Sequence, residues 1–163
     1  MKNTRLLGFI LAITVSIDQG FKLIAINFLQ NKQSTSYMYD IFRLQYSDNS
    51  GAFLGIGNNL PEKVRFFIFT IAVLVMLIGL LIYVMKNPKI SLIAISIIVG
   101  GEVSNVIDRI YNNGAVIDFM NMGIGSLRTG IFNFADIFIM IGVGIFILFS
   151  SKFGQKITKA KLS

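Results

Sequence analysis

The run "FFIFTIAVLVMLIGLLIYVM", residues 66–85, carries no charge over twenty consecutive positions and stops at "KNPK", residues 86–89. Crossing the hydrocarbon core of a bilayer takes about 20 predominantly apolar residues, so this run sets the fold class. Pro88 ends the helix and permits a tight hairpin, and a second apolar segment starts at Ile90. Working outward, two more segments approach spanning length. The expectation is a single membrane-embedded domain over 1–163, with four transmembrane helices at about 5–26, 64–85, 90–107 and 131–150. The composition agrees: 54% of the 163 residues are hydrophobic and 14% charged, which excludes an ordinary soluble domain and a disordered one.

The charges orient the bundle. Lys2, Arg5, Lys86, Lys89, Lys152, Lys156, Lys159 and Lys161 share one side without a single acid. By the positive-inside rule that side, with both termini, is cytoplasmic. The formal charge of +7 therefore has a topological cause, and no basic stripe with interleaved aromatics points to nucleic acid. Lys2 and Arg5 ahead of an apolar run also fit a signal peptide, but no small-x-small cleavage site follows and Asp18 to Lys22 interrupts its end. A retained helix is the expectation.

Two segments lie outside the helices. Residues 27–62 are too polar to span; "YDIFRLQYSDNSGAFLGIG", with its "DNSG" turn signal, predicts a short sheet on the extracytoplasmic membrane surface. Residues 108–130, with "FMNMGIGSLRTG", are apolar but glycine-broken and read as interfacial.

The chain contains no histidine and no cysteine. That removes thiolate nucleophiles, disulfides, Cys/His zinc sites and every histidine-based triad. Chemistry must run on Asp, Glu, Lys, Ser, Thr or Tyr. The polar residues at the helix margins are grouped: Asp18 and Lys22 are four apart, Asn105 stands three and four before Asp108 and Arg109, and Asn133 and Asp136 are three apart. At helical spacing each group is expected to point one way, and all fall in the extracytoplasmic half. Taken singly, Asp18 with Lys22 and Asp108 with Arg109 read as charge-balanced packing or interfacial anchors, Asn105 and Asn133 as interhelical hydrogen bonders. Gly100, Gly101, Gly142 and Gly144 read as close-packing positions, and Glu102 as a helix-end charge. Asp118 and Asp136 resist that treatment, because neither has a basic residue within one helical turn. Two carboxylates brought together share a proton, which is the chemistry of an aspartic protease: one activates water, the other protonates the leaving amine. A proton relay uses two such acids as well.

Five blocks in order, "DQGFK" from Asp18, "NSGAF" from Asn49, "GGEVSNVIDR" from Gly100, "VIDF" from Val116 and "FNFAD" from Phe132, resemble the lipoprotein signal peptidase (signal peptidase II) family over nearly the whole chain. The resemblance implies an intramembrane aspartyl endopeptidase with cytoplasmic termini, a surface sheet and a site open to the outer leaflet. Its substrates would be diacylglyceryl-modified prolipoproteins, cut just before the lipidated cysteine. It assigns Asp118 and Asp136 to the catalytic dyad, and Asp18, Lys22, Asn49, Gly51, Asn105, Asp108, Arg109, Asn133 and Ala135 to the supporting set, with no metal or cofactor. Partners would be lipid-modified prolipoproteins and membrane lipids, for a monomer in a bacterial cytoplasmic membrane. This chain departs from the family pattern at "GAFLG", at Gly20, at Glu102 where a small apolar residue is usual, and at Ser104 where glycine is common, as a divergent branch would. Two other functions fit the features less well: a paralogue that binds lipidated peptides without cutting them, and a small proton-coupled carrier, for which no internal repeat is visible.

Overall fold

The computed structural model describes residues 2–51, 57, 59–86 and 92–150, with the side chains of residues 2, 3 and 150 excepted. The hairpin at Pro88, the "AFLG" part of the first-loop motif, and Lys89, Lys152, Lys156, Lys159 and Lys161 lie outside the described residues.

The chain forms α1 (Lys2–Leu29), β1 (Thr35–Tyr37), β2 (Phe42–Asn49), α2 (Glu62–Lys86), α3 (Leu92–Tyr111), β3 (Val116–Ile124), β4 (Leu127–Arg128) and α4 (Phe134–Ser150). By length and composition α1, over Thr4–Leu29, and α2 are long and apolar enough to cross a membrane, and α4 is a shorter apolar helix. α3 is 20 residues long, but its second half carries Glu102, Asn105, Asp108 and Arg109. The outer faces of the helices are apolar and exposed, as at Phe9, Phe28, Phe67, Met140 and Leu148, the inverse of a soluble bundle. Within α2, Phe67–Ala72 is wound as a π-helix.

Boundaries differ from the sequence expectation where polar residues continue a helix. α3 reaches Tyr111, so Asp108 and Arg109 are helical rather than the start of a loop. α4 begins at Phe134 rather than 131, because Asn133 caps it.

α3 and α4 run antiparallel in close contact. A Cβ on Gly101 would fall 2.7 Å from the Ala135 carbonyl oxygen, and one on Gly142 would fall 2.6 Å from the Ile98 side chain. These glycines let the backbones approach. Gly144, expected to do the same, faces open space among the described residues. Leu77, Val84, Ile95 and Val99 form the apolar core between α2 and α3.

The four strands form one antiparallel sheet in the order β1-β2-β3-β4. Its two halves come from different loops, so the second loop supplies strands where only an interfacial segment was expected. The hydrophobic alternation that announces a strand is missing because the first six residues of β3 are all buried, and a strand covered on both faces reads as a continuous run. β2 pairs with β3 with Ser47 opposite Asp118 and Asn49 opposite Val116. That register puts the side chains of Asn49 and Asp118 on one face as diagonal neighbours. Beyond β4, Met120 bridges Phe132, which delivers Asn133 beside Asp118 at the mouth of α4.

Candidate active site

The N-terminus of α4 is built first. The Asp136 backbone N–H donates to Asn133 Oδ1 at 2.9 Å, and the Asn133 N–H donates to Asp136 Oδ2 at 3.1 Å. This is a reciprocal capping box, with Asn at the cap and Asp three residues on. The Ala135 N–H is taken by Asp18 Oδ1, from α1, at 2.8 Å. Two carboxylates therefore sit at the positive end of the α4 dipole. The Asn-x-x-Asp spacing in "FNFAD" is a legible capping signal, and it shows that Asp136 is anchored through its backbone as well as its side chain.

Behind this cap lies a saturated ionic core. Lys22 Nζ contacts Asp18 Oδ2 at 2.6 Å, Asp108 Oδ2 at 2.7 Å and Asn105 Oδ1 at 2.9 Å, three acceptors for three ammonium donors. Asp18 Oδ2 also accepts from Ser104 Oγ at 2.7 Å. Asp108 Oδ1 accepts from Gln19 Nε2 at 2.7 Å, and its Oδ2 from the Ile117 N–H at 3.0 Å. Asp18 and Lys22 pair as their spacing predicts. Asp108 and Arg109 do not: adjacent helical residues point about 100° apart, so Asp108 turns to Lys22 while Arg109 Nη2 donates to the Gly51 carbonyl at 2.8 Å. Ser104, read only as a departure from the pattern, is part of this core and bonds the supporting acid.

Three asparagines face the other way, and the orientation of each amide is forced. Asn49 Oδ1 accepts the Gly51 N–H at 3.0 Å, so its Nδ2 turns to Asp118 Oδ2, also at 3.0 Å. Asn133 Oδ1 is held by the Asp136 N–H, so its Nδ2 reaches Asp118 Oδ1 at 2.7 Å. Asn105 Oδ1 is held by Lys22, so its Nδ2 turns to Asp136 Oδ1 at 3.5 Å. In each case an obligate donor fixes the carbonyl end and leaves the N–H₂ end for a carboxylate.

The result is a cleft of about 310 Å³ onto which Asp118, from β3, and Asp136, from α4, both open. Asn49, Asn105, Arg109 and Glu102 line it too, with Phe69 and Val73 from α2 and Ile139 and Met140 from α4. Phe69, in the π-helical turn, packs its ring 5.9 Å from the Arg109 guanidinium. Asp118 is 2% exposed. Burial, and after it the neighbouring Asp136 carboxylate, pushes its carboxyl up to about 7, against the Asn49 hydrogen bond, the Lys22 charge and the Asn133 hydrogen bond. Two carboxyls in one cleft, one of them holding its proton near neutrality, are equipped to take a proton from water and give one to a leaving group. No group of three or more metal-ligating side chains occurs among the described residues.

Glu102 is placed differently from the helix-end charge expected of it. It lies in the wall of the cleft, and the charges acting on it are those of Arg109 and Asp136.

Residues 10–152 match the family described as signal peptidase (SPase) II. The lipoprotein signal peptidase of Brevibacillus brevis is 37% identical over 143 residues, covering 85% of this chain and 90% of that protein. The lipoprotein signal peptidase of Borrelia hermsii is 30% identical over 155 residues, covering 90% and 91%. Among solved structures, a bacterial membrane enzyme determined by the in meso method at 1.9 Å resolution superposes with a TM-score of 0.72 at 29% identity, covering 90% of this chain and 93% of that one. With the match running from the first third of α1 past the end of α4, the chain belongs to the signal peptidase II family.

Proposed function

We propose that this protein is an intramembrane aspartyl endopeptidase that removes signal peptides from diacylglyceryl-modified prolipoproteins, cutting before the lipidated cysteine, with Asp118 and Asp136 as the reacting pair. The observation that carries the assignment is the convergence of the two carboxyls on one cleft, each held by asparagine amides whose orientation is fixed from behind. The pair carries one proton. Asp136, at the α4 N-terminus and bonded to the Asn133 N–H, draws a proton from the attacking water. Asp118 holds the other proton, hydrogen-bonds the scissile carbonyl, and delivers that proton to the departing amine. Asn49, Asn105 and Asn133 keep both carboxyls aimed.

The chain is read as one membrane unit in the bacterial cytoplasmic membrane, a monomer with both termini cytoplasmic. α1 to α4 all cross the bilayer, and the sheet lies at the outer surface. The two long apolar helices, the apolar exposed face of α4 and the acid-free cations support that placement.

The test is cleavage of one purified prolipoprotein, with and without its diacylglyceryl group, by the wild-type protein and by Asp118→Asn and Asp136→Asn. Cleavage of the lipidated form alone, lost in both variants, is the expected result. Equal rates on both forms would move the protein to a general intramembrane protease. Binding of the lipidated form without cleavage by the wild type would make it a capture protein.

A further inference from the structure

Along one face of β3, Asp118, Met120, Met122 and Ile124 are 2%, 6%, 45% and 76% exposed. Alternate residues of a strand share a face, so this face begins at the cleft and runs out past the edge of the helices. The register widens it: Met122 lies opposite Phe42, Phe42 opposite Tyr37, and Ile124 opposite Leu127, and directly opposed residues stand on one face. Tyr37, Met122, Ile124 and Leu127 are all exposed. The other face of the same strands carries Ser36, Arg43, Asn121 and Arg128, bonded to one another and to Asp40. The outer end of the sheet is thus apolar on one face and polar on the other.

The apolar face is continuous with the helix surface. Its inner residues Phe42, Leu44 and Met120 belong to one cluster with Ala25 and Leu29 at the end of α1 and Ile137 of α4. Phe28, beside Leu29, is among the exposed apolar side chains of α1, and around the helices of a membrane enzyme that surface meets lipid. At the rim of the sheet Met38, Tyr39 and Asp40 have φ of 53°, 54° and 69°, a left-handed run that costs about 1–2 kcal/mol per residue and leaves Met38 and Tyr39 exposed. The Gly123 N–H donates to the Ile41 carbonyl at 2.9 Å, and Arg128 Nη1 to the Asp40 carbonyl at 2.7 Å, so this turn and the β3–β4 hairpin form one tip. A contiguous exposed apolar patch with a polar border marks an interaction surface, and tyrosine, with its apolar ring and polar end, suits the membrane–water boundary.

Resting on the reading that the helices span the bilayer, we infer that this tip is a lipid anchor: Tyr37, Met122, Ile124 and Leu127 enter the interfacial zone of the nearer leaflet and so hold the outer end of the strand that carries Asp118. Ile124 lies six residues beyond Asp118, about 20 Å along a strand, so the anchor acts on the site only through β3.

The chain contains no tryptophan, so a single introduced one reports alone. The full-length protein is reconstituted in phosphatidylcholine vesicles, with or without bromine on the acyl chains, as Tyr37→Trp, Leu127→Trp, Ser36→Trp and Met76→Trp. Ser36 adjoins Tyr37 on the opposite face, and Met76 is exposed on α2. Brominated lipid should quench Tyr37→Trp, Leu127→Trp and Met76→Trp, whereas Ser36→Trp should be quenched by aqueous acrylamide instead. Quenching of Met76→Trp alone overturns the anchor and leaves the spanning helices standing; no lipid quenching in any variant overturns both. Equal lipid quenching of Ser36→Trp and Tyr37→Trp overturns the assignment of one face to lipid. A Tyr37→Trp emission shielded from both quenchers means that a second copy of the chain covers the face, and overturns the lipid partner. If Leu127→Trp lacks a thermal unfolding transition, the aromatic-for-aromatic Tyr37→Trp decides alone. The double variant Ile124→Asp with Leu127→Asp should lower kcat/KM severalfold in vesicles and little in detergent; an equal effect in both overturns the hold on β3.

Discussion

Two clusters of charge lie side by side across α3, and they are built on opposite principles. Behind the helix, Asp18, Lys22, Ser104 and Asp108 are at most 4% exposed, with every ammonium donor of Lys22 used and both oxygens of each aspartate bonded. In front of it, Asp118, Asp136, Glu102 and Arg109 share an open cleft. There the Arg109 Nε has no hydrogen-bond partner among the described residues, and Glu102 lies among the charges of Arg109 and Asp136. The saturated cluster has nothing left to offer a substrate and can only hold things in place. The unsaturated one has spare hydrogen-bonding capacity, which is what binding and proton transfer consume. The residue types are the same, so it is the completeness of bonding, not the presence of charge, that separates scaffold from site.

The widest contrast is expected from removing one carboxyl on the open side. Asp118→Asn or Asp136→Asn should lower kcat/KM on lipidated prolipoprotein by about a thousandfold or more, in the upper range for loss of a positioned acid or base, while the protein stays folded. Asp118 also makes a signed prediction about pH. Its carboxyl stands at about 7 against an ordinary 3.8, so the folded state binds a proton that the unfolded state has already lost between those values. Its contribution therefore becomes less favourable as pH rises from about 4 to about 7, and stays so above. The melting midpoint of Asp118→Asn should gain on that of the wild type over this interval; a difference flat with pH would contradict the shift. Activity should show an alkaline limb near pH 7, where the shared proton is lost.

On the closed side the order reverses. Lys22→Met leaves Asp18 and Asp108 buried without their cation, a change that costs about 3–5 kcal/mol where a buried pair is broken from one side. A large fall in thermal midpoint, with residual turnover in the molecules that remain folded, is the expected outcome. A well-folded Lys22→Met protein as inactive as Asp118→Asn would erase the distinction between the two clusters and put Lys22 into the chemistry.

Much of this division was legible in the sequence, but unevenly. The run at 66–85 announces α2, a helix long and apolar enough to cross a membrane, and the motif order singles out Asp118 and Asp136, which open onto one cleft. The Asp18 and Lys22 pair follows from spacing alone, because both ends lie on one helix. Contacts between elements do not follow in that way. Asp108 has Arg109 as its neighbour in sequence and Lys22, 86 residues away, as its partner in space. Nor does the sequence show that Glu102 faces the cleft, since its exposure depends on where α2 and α4 stand. The Asn133 and Asp136 spacing was read as one face of a helix starting at 131, and the structure makes it a capping box that starts α4 at Phe134. In the second loop, β3 was hidden by the burial of its first six residues on both faces.

A smaller effect tests the seam that keeps the clusters apart. Gly101→Ala would drive a methyl group against the Ala135 carbonyl and the Ile139 side chain, shifting the capped end of α4 relative to α3. Overpacking of this kind costs about 1–3 kcal/mol. Because the shift moves Asp136 relative to Asp118, turnover should fall with stability. Gly144→Ala, with nothing within 4 Å among the described residues, should change the thermal midpoint and activity little. Equal behaviour of the two variants would mean that the close approach at Gly101 is not what sets the register of the site.

The smallest expected effect asks whether saturation matters without burial. Asp40, at the β1–β2 turn, is bonded as fully as Asp18: it accepts from Ser36 Oγ and Arg43 Nε at 2.6 Å each and from Arg43 Nη2 at 2.5 Å, with Arg128 Nη1 3.4 Å away. The hydrogen bonds from Arg43, and then from Ser36, hold its carboxyl well below the usual carboxylate range. Its side chain is nevertheless 39% exposed, where water replaces lost partners and salt screens the charges. The Arg128 bond to the Asp40 backbone carbonyl, at 2.7 Å, also survives substitution of the side chain. Asp40→Asn should therefore shift the thermal midpoint by no more than about two degrees, less at high salt than at low, and leave cleavage unchanged. A loss as large as that of Lys22→Met, insensitive to salt, would show that the outer sheet depends on its ion network as heavily as the helices depend on Lys22. Weight would then have to be assigned by bonding alone, whatever the exposure.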